Sequence, residues 1–141
     1  MQKWFECTIK YEKQLEEGKI AKTTERYLVD ALTFTEAEAR IIKEMKPFVS
    51  GEFEVANINP QKYSELFWNE KADKWFKTKV NFIVLDEEKG VEKKVANYML
   101  VQANDLKEAR ELLVEGMKGS MADWEIASIS ETKIIDVYKY I

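Results

Sequence analysis

This chain has no histidine. It therefore lacks the side chain whose ordinary pKa lies nearest neutrality, the commonest metal ligand and the usual base of a nucleophilic triad. The single cysteine, Cys7, has no imidazole to activate it and alternates with apolar neighbours, so it reads as a small buried hydrophobe on a strand face. Carboxylates are abundant, and Glu52 with Glu54, or Asp123 with Glu125, could be imagined as acid–base pairs. Both pairs alternate with an aromatic residue, Phe53 or Trp124, which is the pattern of the wet side of a half-buried strand. The five glycines are scattered singly, so no phosphate-cradling loop is present. A zinc site would need ligands that the chain does not have. The expectation is a protein that is not an enzyme and holds no metal or cofactor.

Recognition chemistry remains. Trp4 and Trp75 stand on strand faces that are otherwise polar. They are either covered at the edge of a core or exposed as anchors for a ligand, a partner or a second subunit. Lys71, Lys74, Lys77 and Lys79 crowd around Trp75 and Phe76, the mixture of cations and rings that single-stranded nucleic acid binders use. The plainer reading of those lysines is a charged edge that discourages aggregation between strands. Arg26, Arg40 and Arg110 are the cations that could contact nucleotide phosphates in an apolar cleft. Arg40 and Arg110 fall in helical segments, where an exposed ion pair is the common explanation.

The elements that must position these groups appear twice. Phe5, Cys7, Ile9 and Tyr11 alternate along one strand, as do Phe76, Thr78, Val80, Phe82 and Val84 along another. Glu16-Glu17-Gly18 and Glu87-Glu88-Lys89-Gly90 supply the turns, glycine allowing the positive φ of a hairpin. Second strands are centred on Tyr27–Ala31 and Met99–Ala103. Thr33-x-x-Glu36 and Asp105-x-x-Glu108 have the form of capping boxes. They open helices with apolar stripes at Phe34, Ala37, Ile41, Met45 and at Leu106, Ala109, Leu113, Met117. Lys46-Pro47 and Lys118-Gly119 end them. Two short strands follow in each half, Phe53–Ile58 with Tyr63–Phe67 and Trp124–Ile129 with Ile134–Tyr138, separated by turn-like Asn59–Lys62 and Ser130–Lys133.

The fold expected is α+β, a tandem duplication of a strand–strand–helix–strand–strand unit. Residues 1–70 form the first copy and 71–141 the second, packed as one compact domain with antiparallel sheet or sheets and two equivalent helices about a pseudo-twofold axis. Apolar residues make up 45% of the 141-residue chain, enough for a packed interior. A net charge of −4 works against general attraction to nucleic acid. The lone cysteine, the absence of a leader-like apolar run and the absence of a membrane-length segment predict a cytoplasmic protein with no membrane partner.

The runs WFEC, YLVDALTFTEAEARI, FVSGEF and YSELF, then MLVQANDLKEA and GMKGSMADWEIAS, carry a resemblance. Over nearly its whole length the chain resembles a domain-of-unknown-function family of small proteins from Bacteroides-type bacteria and their phages. That resemblance implies a soluble, cytoplasmic, phage-related context and carries over no site residues. Three functions are expected in order: a non-enzymatic interaction module acting through a protein partner or as a homo-oligomer, a protein that binds or sequesters a nucleotide signal, and an accessory single-strand binder.

Overall fold

The computed structural model describes residues 3–139, which form two compact units. Unit 1 contains the described residues up to Lys62 together with those from Lys133 onward, and unit 2 is Tyr63–Thr132. In all there are eight strands in two sheets and two α-helices among the described residues, an α+β protein.

In unit 1, β1 (Lys3–Gln14) turns through Glu16–Gly18 into β2 (Ile20–Ala31), and α1 (Phe34–Met45) leads to β3 (Phe53–Gln61). Glu17 and Gly18 both take positive φ, 63° and 74°, which closes the tight return between the strands. The unit is completed by β8 (Ile134–Tyr138), giving the sheet order β3-β1-β2-β8. Helix α1 starts where Thr33 accepts a hydrogen bond from the Glu36 amide at 3.2 Å, while the Glu36 carboxylate accepts one from the Leu32 amide. Such a cap contributes about 1 kcal/mol. Ala37, Ile41 and Met45 then bury the helix against Phe5, Cys7, Ile9, Tyr27, Val29 and Ile58. Enclosing a side chain such as Ile41 contributes roughly 1.5–3 kcal/mol.

Unit 2 runs β4 (Glu65–Phe67), β5 (Lys74–Asp86), β6 (Val91–Ala103), α2 (Leu106–Gly116) and β7 (Asp123–Glu131), with sheet order β4-β6-β5-β7. Asp105 accepts from the Glu108 amide at 2.8 Å, and Glu108 accepts from the Asn104 amide at 3.0 Å. Ala109, Leu113 and Met117 cover Phe76, Val80, Met99 and Val101. Gly116 has a specific reason to be glycine: a Cβ there would stand 2.3 Å from the Phe67 ring of β4.

Three expectations are corrected. Phe34 and Leu106 are exposed, 52% and 54%, and do not belong to the buried stripes. Each is the first residue of its helix, and because helical side chains lean toward the N-terminus these two project beyond the packed turns. Asn59–Gln61 is strand, paired with β1 as far as Trp4↔Gln61, and Ser130–Glu131 belongs to β7. Pro60 is tolerated because β3 is an edge strand and needs no outward donor. The sheets are also mixed. β8 runs parallel to β2 and β4 runs parallel to β6, so the last strand of each sequence half completes the sheet built from the other half. Among the described residues, no helix is long and apolar enough to cross a membrane.

Candidate functional site

The sheet of unit 2 carries its helix on one face, and the residues of opposite parity form the other. Along β5 these are Trp75, Lys77, Lys79 and Asn81. Trp75 is buried, its ring meeting Trp68 edge-on at 5.2 Å between centroids. It therefore offers no exposed anchor. Gln102 explains part of that cover: its amide donates to the Ala72 carbonyl and its oxygen accepts from the Asn69 amide, both at 2.9 Å, which ties the segment after Trp68 to β6.

Beyond Trp75 the face carries two cations, Lys77 and Lys79, beside the fully buried Leu100. Lys77 Nζ sits 5.0 Å from the centroid of the Tyr98 ring and 6.0 Å from that of Tyr63. Both distances lie within the range at which an ammonium is attracted to a π-face. The register partners of Lys77 are Leu100 and Ser130, and those of Lys79 are Tyr98 and Ser128, so no carboxylate lies directly across from either lysine. Tyr98, Ser128 and Ser130 are exposed, whereas both lysines are half-buried. Farther along the strand the charge is neutralised: Lys94 pairs with Glu125 at 2.7 Å, and this contact, with Asn81, holds the Glu125 carboxyl below the usual carboxylate range. Lys74 pairs loosely with Glu131, and Lys71 is exposed.

Unit 1 has different chemistry. Asp30, almost wholly buried, is paired with the Arg40 guanidinium, which also donates to the carbonyls of Asp30 and Tyr138. Arg40 is therefore a buried tie between α1, β2 and β8, committed to structure. Arg26 is exposed on β2 opposite Thr8, and Arg110 is exposed on α2 in the other unit. Trp4 is half-buried opposite Asp30. Burial raises the Cys7 thiol to about 12, with a smaller push from Glu6. Burial and the Glu25 carboxylate likewise raise the Tyr27 phenol, whose ring stacks on Tyr138 at 5.8 Å. A groove of about 940 Å³ opens at the hairpin end of this unit, lined by Lys10, Tyr11, Glu12, Lys22, Glu52 and Phe53 among others. None of the three arginines lines it. Glu52 and Glu54 are exposed at its rim.

The sequence singles out Lys77 and Lys79; the strand register sets Tyr98, Ser128 and Ser130 beside them, and Tyr63, just before β4, lies near the Lys77 ammonium. The signal for Tyr98 was its place two residues before Leu100 on one strand face. Asp30 carried a signal too, a lone carboxylate inside the apolar run YLVDAL.

The strands also leave edges. Pairing with β4 covers β6 only at Met99–Val101, and the Ser64 amide reaches the Tyr98 carbonyl. Among the described residues, Val91–Asn97 has no strand along its outer side. The same hairpin exposes Leu85, Val91 and Val95 at 65%, 53% and 42%. No curated protein and no solved structure matches this chain. The family model for the domain of unknown function DUF4494 matches residues 3–140, and the chain belongs to that family.

Proposed function

We propose that this is a non-enzymatic binding and interaction protein that associates with a second copy of itself through the outer edge of β6. The observation that carries the reading is the self-complementarity of that edge. With a twofold axis at Lys93, an antiparallel pairing sets Val91 against the partner's Val95 and Glu92 against the partner's Lys94, each twice, the exposed Lys94 ammonium then being shared with Glu125 of its own chain. Apolar and opposite-charge cross-strand pairs of this kind contribute roughly 0.2–1 kcal/mol each. Lys93 would face its own copy, the one opposed like-charge pair, and its long stem lets the ammonium reach water. The exposed Leu85 lies on the same hairpin and adds apolar surface.

The reading extends to origin and context. The matching sheet orders, the paired capping boxes and the bulges at Thr8/Ile9 and Lys79/Val80 support a tandem duplication. A cytoplasmic, phage-related setting accords with the single buried cysteine and the resemblance in the sequence.

Sedimentation equilibrium over a concentration series tests the proposal. A concentration-dependent dimer is expected, weakened by Val95→Lys and by either Glu92→Lys or Lys94→Glu alone. The double reversal, which restores opposite charges across the axis, should recover association. A monomer at every concentration would overturn the proposal and leave the β6 lysines as guards against edge pairing.

A further inference from the structure

Each sheet is built from both halves of the chain. The first half supplies β1, β2, α1 and β3 of unit 1, but the fourth strand of that sheet, β8, comes from the far end of the sequence. Conversely, β4 follows β3 in the chain and pairs with β6 in unit 2. The halves thus hold one another by exchanged strands. Ile134 and Val137 of β8 are buried, and Phe67 of β4 packs on the core of unit 2 beside Gly116 of α2. With both exchanged strands in place, the covalent link between the halves is Trp68–Asp73, the segment from β4 to β5. That segment reverses the chain, because β4 runs parallel to β6 and β5 runs antiparallel to it. A few hydrogen bonds fix the reversal. The Ala72 amide donates to the Asn69 carbonyl at 3.0 Å, Gln102 bonds the Asn69 amide and the Ala72 carbonyl, and the Asn69 side chain donates to the Glu108 carboxylate at 3.1 Å. Glu70 and Lys71, the middle of the turn, are exposed.

We infer that this chain also forms a strand-exchanged dimer, in which β1–β4 of one copy complete their sheets with β5–β8 of a second copy, and that the Asn69–Ala72 turn is the hinge that selects between the two forms. Every strand pairing within the units is the same in monomer and exchanged dimer, so the two differ only through the hinge and the cost of association. Straightened, the six residues Trp68–Asp73 reach about 20 Å, which lets the halves part. In a single chain each half meets the other at an effective concentration on the order of millimolar. The monomer therefore prevails while the turn can close. The exchange leaves the free Val91–Asn97 edge of β6 as it is, so it does not depend on pairing along that edge.

The test is size-exclusion chromatography of the full chain carrying Val95→Lys, which removes pairing along β6. The protein is unfolded in urea, refolded at about 1 mM, then diluted and rerun. A minor dimer that survives dilution is expected, because its return to monomer requires the halves to unfold. Adding Gln102→Ala removes two neutral hydrogen bonds from the turn and should raise the ratio of dimer to monomer roughly fivefold. Deleting Glu70 and Lys71 prevents the turn from closing and should make the dimer the main species. The inference is overturned by monomer alone in the Gln102→Ala variant with an unchanged circular dichroism spectrum, by a dimer that dissociates on dilution, or by a dimer fraction that ignores both hinge changes. Because the exchanged dimer is read with Val95→Lys in place, failure of association along β6 in the parent chain overturns only the earlier proposal.

Discussion

Units 1 and 2 share a sheet order and differ in what they put at matching places. Where β2 of unit 1 carries Asp30, tied to Arg40, β6 of unit 2 carries Gln102, tied to the backbone of Asn69 and Ala72. Where β1 has Cys7, β5 has Thr78, whose hydroxyl donates to the Met99 carbonyl at 3.0 Å. Where β1 shows Glu6 and Thr8 on its second face, β5 shows Lys77 and Lys79. A hydrophobic frame constrains volume and periodicity on its buried face but leaves polar choices free, provided each buried polar group is satisfied. In unit 1 that freedom became a buried ion pair. In unit 2 it became an amide clamp and a cationic aromatic face.

The largest expected break in this comparison is at the ion pair. Arg40→Ala leaves the Asp30 carboxylate buried without its guanidinium and should cost about 3 kcal/mol. Gln102→Ala removes only neutral hydrogen bonds and should cost about 1 kcal/mol. Equilibrium urea unfolding measures both, and equal losses would show that the two ties do the same structural work. Gly116→Ala comes next. An open helix site gains about 1 kcal/mol from that change, yet here the new methyl meets the Phe67 ring, so a net loss of about 1 kcal/mol is expected. Phe67→Leu in the same chain should return part of it. Unit 1 has Glu44 at the matching helix position, so Glu44→Ala should cost less.

The smallest effect concerns alkaline pH. Burial raises the Cys7 thiol from 9.0 to about 12. The fold therefore favours the neutral thiol, and its contribution is fully present below pH 9 and lost as pH climbs toward the folded value. Cys7→Thr, the residue unit 2 uses, should shallow the fall in stability over that window. Iodoacetamide should leave Cys7 unmodified in the native protein at pH 8 and label it promptly in urea.

Much of this was legible in the chain. Alternation along Phe5–Ile9 and Phe76–Phe82 fixed which strand face is buried, because a one-residue slip would turn every apolar side chain outward. The helix starts at Thr33 and Asp105 were readable because capping is local chemistry within four residues. Lys77 and Lys79 stood out by type, and the absence of histidine narrowed the chemistry before any geometry. Only the tertiary structure decided that β8 joins β2 and β4 joins β6 in parallel, since a short apolar strand carries no signal for which distant edge it will pair with. It also decided that Trp75 is covered while Tyr98 is open, and that Arg40 belongs to Asp30. Those outcomes depend on register between segments far apart in the chain, and local periodicity does not encode register.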